Sequence, residues 1–364
     1  MHSTQINNRH KCNRSTSTLA ELGTALGAAF VAAIAIFVST SALANKVTGV
    51  VLDDTFKAAE RAATMVNLTD TSGSKFKDIK RVAISSFQVE FVTKGAAAAR
   101  SQEFGKKGSA STNMQMTLVG LTPADFQAIT DKLHADFVND LKAMNIEVVP
   151  TEKIIASTHY QKMAASGKVA PAETRTSSTW SSIYAPQGLG VYGKGSSSNA
   201  IGILAGFSAF SEVSATLMPN IELSKELDAS LFIVRLMVNF VDMKSSDASW
   251  FSRNSGEAKV SWAVGPAIAA GESTLNINTQ GHNTSMTLAA PILVDGAAFK
   301  EIKDTTSIVG NVGLAVLSLA IGGGHSSVAI EKEAVADPEK YRALVGAGLG
   351  GVREMFMGKF SAAK

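Results

Sequence analysis

The sequence LFIVRLMVNFVDM, residues 231–243, predicts the most strongly defined β-strand of the chain, because it is apolar at nearly every position. Residues 258–269 and 275–293 supply at least two further strands, and a polar turn at residues 249–256 precedes them. The short spacing between these runs favours an antiparallel meander over alternating strands and helices.

Another strand is predicted earlier in the chain, over residues 81–92. Its first half is largely apolar, as in a buried strand, whereas apolar and polar residues alternate from Phe87 to Phe91. Such alternation indicates one face turned to water. The segment from Lys94 to Ser111 is rich in Ala, Gly and Ser, and we interpret it as a long loop.

The clearest helix start is Thr122-Pro-Ala-Asp125. Thr122 suits the N-cap, Pro123 suits the first helical position, and Asp125 lies near the positive end of the helix. Asn145 is expected to end the helix, and a short strand is expected over residues 146–149. One apolar stripe at a spacing of three or four residues follows the cap: Phe126, Ile129, Leu133, Phe137, Leu141 and Met144.

Three further helices are expected. One lies within residues 45–66, with Asp53 or Asp54 as its cap, and one lies near residues 152–163. The third follows Asp337 and Pro338 and ends the chain. The first is predicted to have an apolar side made of four residues: Phe56, Ala59, Ala63 and Val66.

The terminal helix contains four closely spaced glycines, at positions 346, 348, 350 and 351. Glycine weakens a helix intrinsically. We expect these residues to permit close packing of the helix backbone on a sheet or on a neighbouring helix.

These elements predict an α+β fold, with a mixed, largely antiparallel sheet packed by amphipathic helices. Residues 45–165 and 221–364 are expected to form the two halves of one domain. Residues 166–220, which are rich in Gly and Ser, are expected to form an insertion between them, with a long irregular stretch up to residue 200.

The first 44 residues have the pattern of a signal peptide. Cationic residues precede an apolar run over residues 22–38, and Ala42-Leu-Ala44 forms a cleavage site. We expect cleavage after Ala44 and a periplasmic or outer-membrane-associated protein; an uncleaved signal anchor is the alternative. Cys12, the only cysteine, lies in this leader, so the expected mature chain has neither disulfides nor a lipid-bearing cysteine.

Charge gives little indication of a partner. The formal net charge of +3 falls to +1 when the leader's three cationic residues and one anionic residue are removed. The sequence has no basic tract with interleaved aromatic residues, so we predict no binding of nucleic acid. Only 18% of the residues are charged and 45% are hydrophobic, which is typical of a chain with extensive buried surface.

The sequence has only weak motifs for catalysis or for binding of nucleotides and metals. Gly188-Leu-Gly-Val-Tyr-Gly193 matches a nucleotide-binding pattern, but Pro186 precedes it and no helix is predicted after it, so we interpret it as a glycine-rich loop. We predict no catalytic, cofactor-binding or metal-binding residues and no enzymatic activity, with a hydrolase as a third hypothesis. Four histidines of the expected mature chain have no recognised ligand spacing: His134, His159, His282 and His325.

The order of elements resembles the periplasmic domain shared by the curli-secretion channel family and the amino-terminal domain of TolB-like proteins. The resemblance is carried by residues 81–87, 134–141, 145–149 and 229–243. It implies a periplasmic domain with a strand ending near a Phe, a long amphipathic helix and a short strand. The channels are lipoproteins, and the lipid-bearing cysteine is missing here.

We therefore expect an exported, non-enzymatic envelope protein that acts as an assembly or binding module, with envelope proteins or its own copies as partners. The alternative is a membrane-inserting or pore-associated outer-membrane protein. Residues 200–218 and 308–324 are apolar enough to contact a membrane, or to form a buried helix or hairpin.

Overall fold

A strand of 22 residues organises the sheet in the computed structural model of this protein. The strand is long enough to pair with different neighbours along its two halves. The described residues all lie in one compact unit of the chain, and their ranges are 49–70, 76–102, 109–192, 210–245, 260–279, 282–306 and 325–364.

The described residues form six helices and fourteen strands. The helices are α1 (Ala58–Met65), α2 (Pro123–Ala143), α3 (Thr151–Ala156), α4 (Thr158–Ala164), α5 (Phe210–Leu227) and α6 (Pro338–Ala363). The strands are β1 (Val50–Val51), β2 (Val66–Asp70), β3 (Arg81–Gln102), β4 (Ser109–Val119), β5 (Glu147–Val148), β6 (Ala172–Arg175), β7 (Thr179–Tyr184), β8 (Ser230–Ser245), β9 (Val260–Ile268), β10 (Thr274–Thr279), β11 (His282–Leu288), β12 (Ile292–Leu293), β13 (Phe299–Asp304) and β14 (His325–Ala336).

All fourteen strands belong to one mixed, mostly antiparallel sheet, which confirms the predicted α+β class. Its main path runs β1-β12-β9-β8-β3-β4-β14-β13. Four pairs are parallel: β1 with β12, β3 with β5, β3 with β8, and β4 with β14. Strands β3 and β8, from the two predicted halves, are therefore direct neighbours in the sheet.

The predicted loop over residues 94–111 was wrong for residues 94–102 and 109–111, which lie in strands, and its residues 103–108 lie outside the described residues. Strand β3 continues to Gln102, and its residues from Lys94 onward pair with β4. Alanine and glycine have low intrinsic preference for strands, so the composition of this segment indicated a loop. Here the backbone ladders with β4 and β7 hold this stretch extended.

The expected meander is only partly present. Strand β8 pairs antiparallel with β10 through residues 231–235 and with β9 through residues 238–245. Strand β10 thus returns to β8 instead of pairing with β9. The reason is the length of β8, whose 16 residues accommodate both partners in succession.

Helices α2 and α6 begin where the sequence predicts. Thr122 and Asp337 are their N-caps, and a proline occupies the start of each helix. The amide and hydroxyl of Thr122 both donate to one carboxylate oxygen of Asp125, at 2.8 and 2.7 Å. The predicted stripe of α2 is buried, apart from Met144 beyond its end, and packs on aromatic residues of β3 such as Phe87.

The first helix is shorter than predicted and presents a different face. Helix α1 begins after Lys57, and it buries Ala58, Ala62 and Met65 rather than Ala59 and Ala63. The carboxylate of Asp53 instead accepts from the amide and hydroxyl of Thr55 in a preceding turn.

The predicted helix near residues 152–163 is divided into α3 and α4 at Ser157, which has an extended backbone. The carboxylate of Glu226, on α5, accepts the amides of Thr158 and His159 at 2.7 and 2.9 Å. It also lies 2.7 Å from Nδ1 of His159. An acidic residue distant in sequence therefore supplies hydrogen-bond acceptors for the free N–H groups at the start of α4.

Part of the predicted irregular stretch is regular. Strands β6 and β7 form a hairpin within residues 172–184, and β7 pairs with β3. Polar residues obscured this hairpin in the sequence, yet Ser181 and Ser182 are buried in the sheet.

Candidate binding groove between α2 and α6

A groove of about 920 Å³ separates α2 from α6. The partly exposed side chains of Leu52 and Phe56 line it beside the buried Ile129 and Leu133 of α2. The α6 wall is made of small residues: Ala343, Gly346, Ala347, Gly350 and Gly351. We call this the α2–α6 groove. Its volume and apolar lining are typical of a binding site.

The four closely spaced glycines of α6, at positions 346–351, play two different roles. A Cβ atom added at Gly348 would lie 2.8 Å from Cγ2 of Val294, and one at Gly351 would lie 3.1 Å from Cε1 of Phe56. These two positions serve close packing, as the sequence predicted. A Cβ added at Gly346 or Gly350 would have no neighbour within 4 Å, so these two glycines leave space open in the groove.

One end of the groove is fixed by Asp125. Its carboxylate caps α2 and also accepts a hydrogen bond of 2.5 Å from Nη1 of Arg342 on α6. Burial alone would raise the pKa of Asp125, but the hydrogen bonds from Thr122 and Arg342 outweigh it and lower the pKa. Asp125 therefore remains ionised and joins the two helices near their N-termini.

A second link between the helices is Arg353, whose side chain is 14% exposed. Its guanidinium lies 3.1 Å from a carboxylate oxygen of Asp136 and 3.0 Å from one of Asp140. Burial raises the pKa of Asp140, the nearby Arg353 counteracts this, and Asp136 adds to the rise. The two links join the walls of the groove at two points along α2 and α6.

The rim of the groove carries charges of both signs. Lys132 and Arg342 supply positive charge, and Glu339 and Glu354 supply negative charge. An apolar floor with such a rim can bury an apolar strip while charged neighbours stay in water. The arrangement suits non-covalent binding.

The glycine-rich motif of residues 188–193 lies at another cleft, of about 640 Å³. Gly188 has a φ of 91°, as a tight turn requires. The amide of Gly190 already donates to the hydroxyl of Tyr160 at 2.8 Å, so it is engaged in holding the loop. Gly193 lies outside the described residues.

The histidines lie on separate elements. His134, on α2, packs edge-on against Phe87 with ring centroids 5.2 Å apart, and burial lowers its pKa while Asp131 opposes the shift. His159 is the second residue of α4, and His282 and His325 are the first residues of β11 and β14. Among the described residues, no three His, Cys, Asp or Glu side chains form a group that could hold a metal ion.

The apolar segments that suggested membrane contact are largely outside the described residues. This applies to residues 308–324 and to residues 200–209 of the other segment, as it does to the leader. Residues 210–218 begin α5. Within the part of the chain that the structure describes, no helix has both the length and the apolar character needed to cross a membrane.

Comparisons with protein-family models, with curated proteins and with solved structures found no match for this chain. The properties of the groove therefore carry the functional argument.

Sequence reasoning did not find the groove, although one indication was present. Gly346 and Gly350 are four residues apart and so share one face of a helix, whereas Gly348 and Gly351 share another. The sequence could not show that α2 and the segment carrying Phe56 lie opposite the first face, because these residues are far apart in the chain.

Proposed function

We propose that this chain is an exported, non-enzymatic envelope protein that binds a partner protein in the α2–α6 groove. The occupant is an amphipathic helix of the partner, with an apolar strip for the groove and charges of both signs along its flanks. The observation that carries this proposal is the pair Gly346 and Gly350, which leave space unfilled between two helices joined by ion pairs. Export is supported by the leader pattern at residues 1–44.

Filling the groove tests the proposal. The variant G346L/G350L places two leucine side chains into open space, so the fold should be preserved while the partner is displaced. A photo-reactive amino acid at Ala347, which is exposed and lines the groove, would cross-link the partner in living cells. We expect adducts in the otherwise unchanged chain and their loss in G346L/G350L.

A matched control carries the photo-reactive residue at Val169, which is 88% exposed and lies outside the groove. Adducts that persist in G346L/G350L, or that form equally from position 169, would contradict binding in the groove. The mass of the purified protein tests export separately, because cleavage at the predicted site leaves a chain that begins with Asn45.

A further inference from the structure

Strand β13 lies at one end of the main path of the sheet, and among the described strands it pairs only with β14. Residues 300–304 are all exposed, and Ile302, at their centre, is 41% exposed. Thr305 donates its backbone N–H to the carbonyl of Glu331 on β14. Because successive residues direct their N–H and C=O groups to opposite edges, those of Ile302 and Asp304 point away from β14.

The sequence of β13 is complementary to itself. Residues 299–304 read Phe-Lys-Glu-Ile-Lys-Asp. When two copies are aligned antiparallel with Ile302 opposite Ile302, Glu301 falls opposite Lys303. By position in the sequence Lys300 falls opposite Asp304, and it lies where the register of β13 with β14 shifts. Each of these charge pairs occurs twice, because the two-fold axis repeats it.

We propose that two copies of the chain associate through their β13 strands, antiparallel and centred on Ile302. The partner is a second copy, and the contact continues the sheet from one molecule into the other. It concerns a surface other than the α2–α6 groove and goes beyond the proposed function. Opposite charges that face each other across antiparallel strands stabilise the pairing, and like charges destabilise it.

The charges of β13 lie at the surface. The side chains of Lys300, Glu301, Lys303 and Asp304 are each more than half exposed. Glu301 and Lys303 lie 3.2 Å apart within one strand, and this exposed pair contributes little to folding. Asp304 is bound to Lys332 of β14 at 2.7 Å, and Nζ of Lys300 lies 3.9 Å from a carboxylate oxygen of Asp337, so these two outer charges are shared with contacts inside one molecule.

Charge exchange provides the first test. In E301K two lysines face each other at both central pairs, and in K303E two glutamates do. Each variant alone should weaken dimerisation by about tenfold or more, measured by analytical ultracentrifugation of the purified exported protein. An equimolar mixture of E301K with K303E should dimerise again, because opposite charges then meet. K153E, on the exposed surface of α3, is the control for net charge.

A disulfide provides the second test. In the proposed dimer the two Ile302 Cα atoms are about 5.5 Å apart, within the range of a disulfide. C12S/I302C should form a cross-linked dimer on mild oxidation, whereas C12S/V169C should not. Circular dichroism of each variant verifies folding.

Three results would overturn the proposal: an unchanged protein that stays monomeric at high concentration, E301K and K303E variants that dimerise normally, or no cross-link at position 302. The groove variant G346L/G350L should still dimerise. Its failure to do so would assign the dimer to the groove instead.

Discussion

Replacing the glycines of α6 by alanine one at a time separates the two roles of this helix. Alanine at position 346 or 350 should raise the free energy of unfolding by about 0.5–1 kcal/mol each. The added methyl group meets no atom within 4 Å, so nothing offsets the gain in helix propensity.

Alanine at position 348 should instead lower the free energy of unfolding. Its methyl group would lie 2.8 Å from Cγ2 of Val294 and 3.4 Å from Cγ1 of Ile268. Both neighbours are buried and β-branched, so their side chains have little freedom to move away. Overpacking of this kind costs about 1–3 kcal/mol, which exceeds the propensity gain. Gly351, 3.1 Å from the partly exposed Phe56, should be nearly neutral.

Urea unfolding of the four single variants measures these differences, provided that the slope with denaturant is unchanged. The expected order of stability is Gly346 and Gly350 variants above the Gly351 variant, and the Gly348 variant lowest. Equal changes in the free energy of unfolding at all four positions would show that helix propensity alone determines the effect of alanine. A loss of stability in G346A or G350A would show that the groove is filled in solution and refute the reasoning.

Three more substitutions test the two links between α2 and α6 and the cap of α4. Asp125→Asn should lower the free energy of unfolding by about 1–2 kcal/mol at neutral pH. Folding lowers the pKa of Asp125, so the stability that its carboxylate contributes is present above the ordinary pKa of the group. This contribution is lost as the pH falls through the pKa of the folded state. The urea unfolding curves of Asp125→Asn and of the unchanged protein should therefore converge in acid. Glu226→Gln should accelerate hydrogen exchange at the first amides of α4, because a neutral acceptor binds them more weakly. Arg353→Met should cost about 1–3 kcal/mol and raise the pKa of Asp140 further, as measured by thermal unfolding and NMR titration, because two carboxylates then lie together without their cation.

The parts of the fold that could be predicted are those in which local chemistry and burial agree. Helix α2 has a capping threonine, a proline at its first position and an unbroken apolar stripe, and the structure has all three. Strand β8 was predicted for the same reason, since its apolar run is long and its core side chains are buried.

The parts that could not be predicted depend on partners distant in sequence. Residues 96–99 are alanines whose extended backbone is held by β4. The β6–β7 hairpin is polar, and its place in the sheet depends on pairing with β3. The α2–α6 groove depends in the same way on which helix faces Gly346, so no local pattern could reveal it.

The charges of β13 also bear on how an exposed sheet edge avoids indiscriminate pairing. Charged residues and bulges are common protections of such edges, and β13 has both, with a register shift between Phe299 and Glu301. A row of one sign would repel every copy of the chain equally. Alternating signs centred on Ile302 instead penalise shifted registers, since moving one strand by two residues removes all four opposite-charge pairs and places Glu301 opposite Glu301, or Lys303 opposite Lys303. The same four charges can therefore oppose aggregation and select a single partner in a single register.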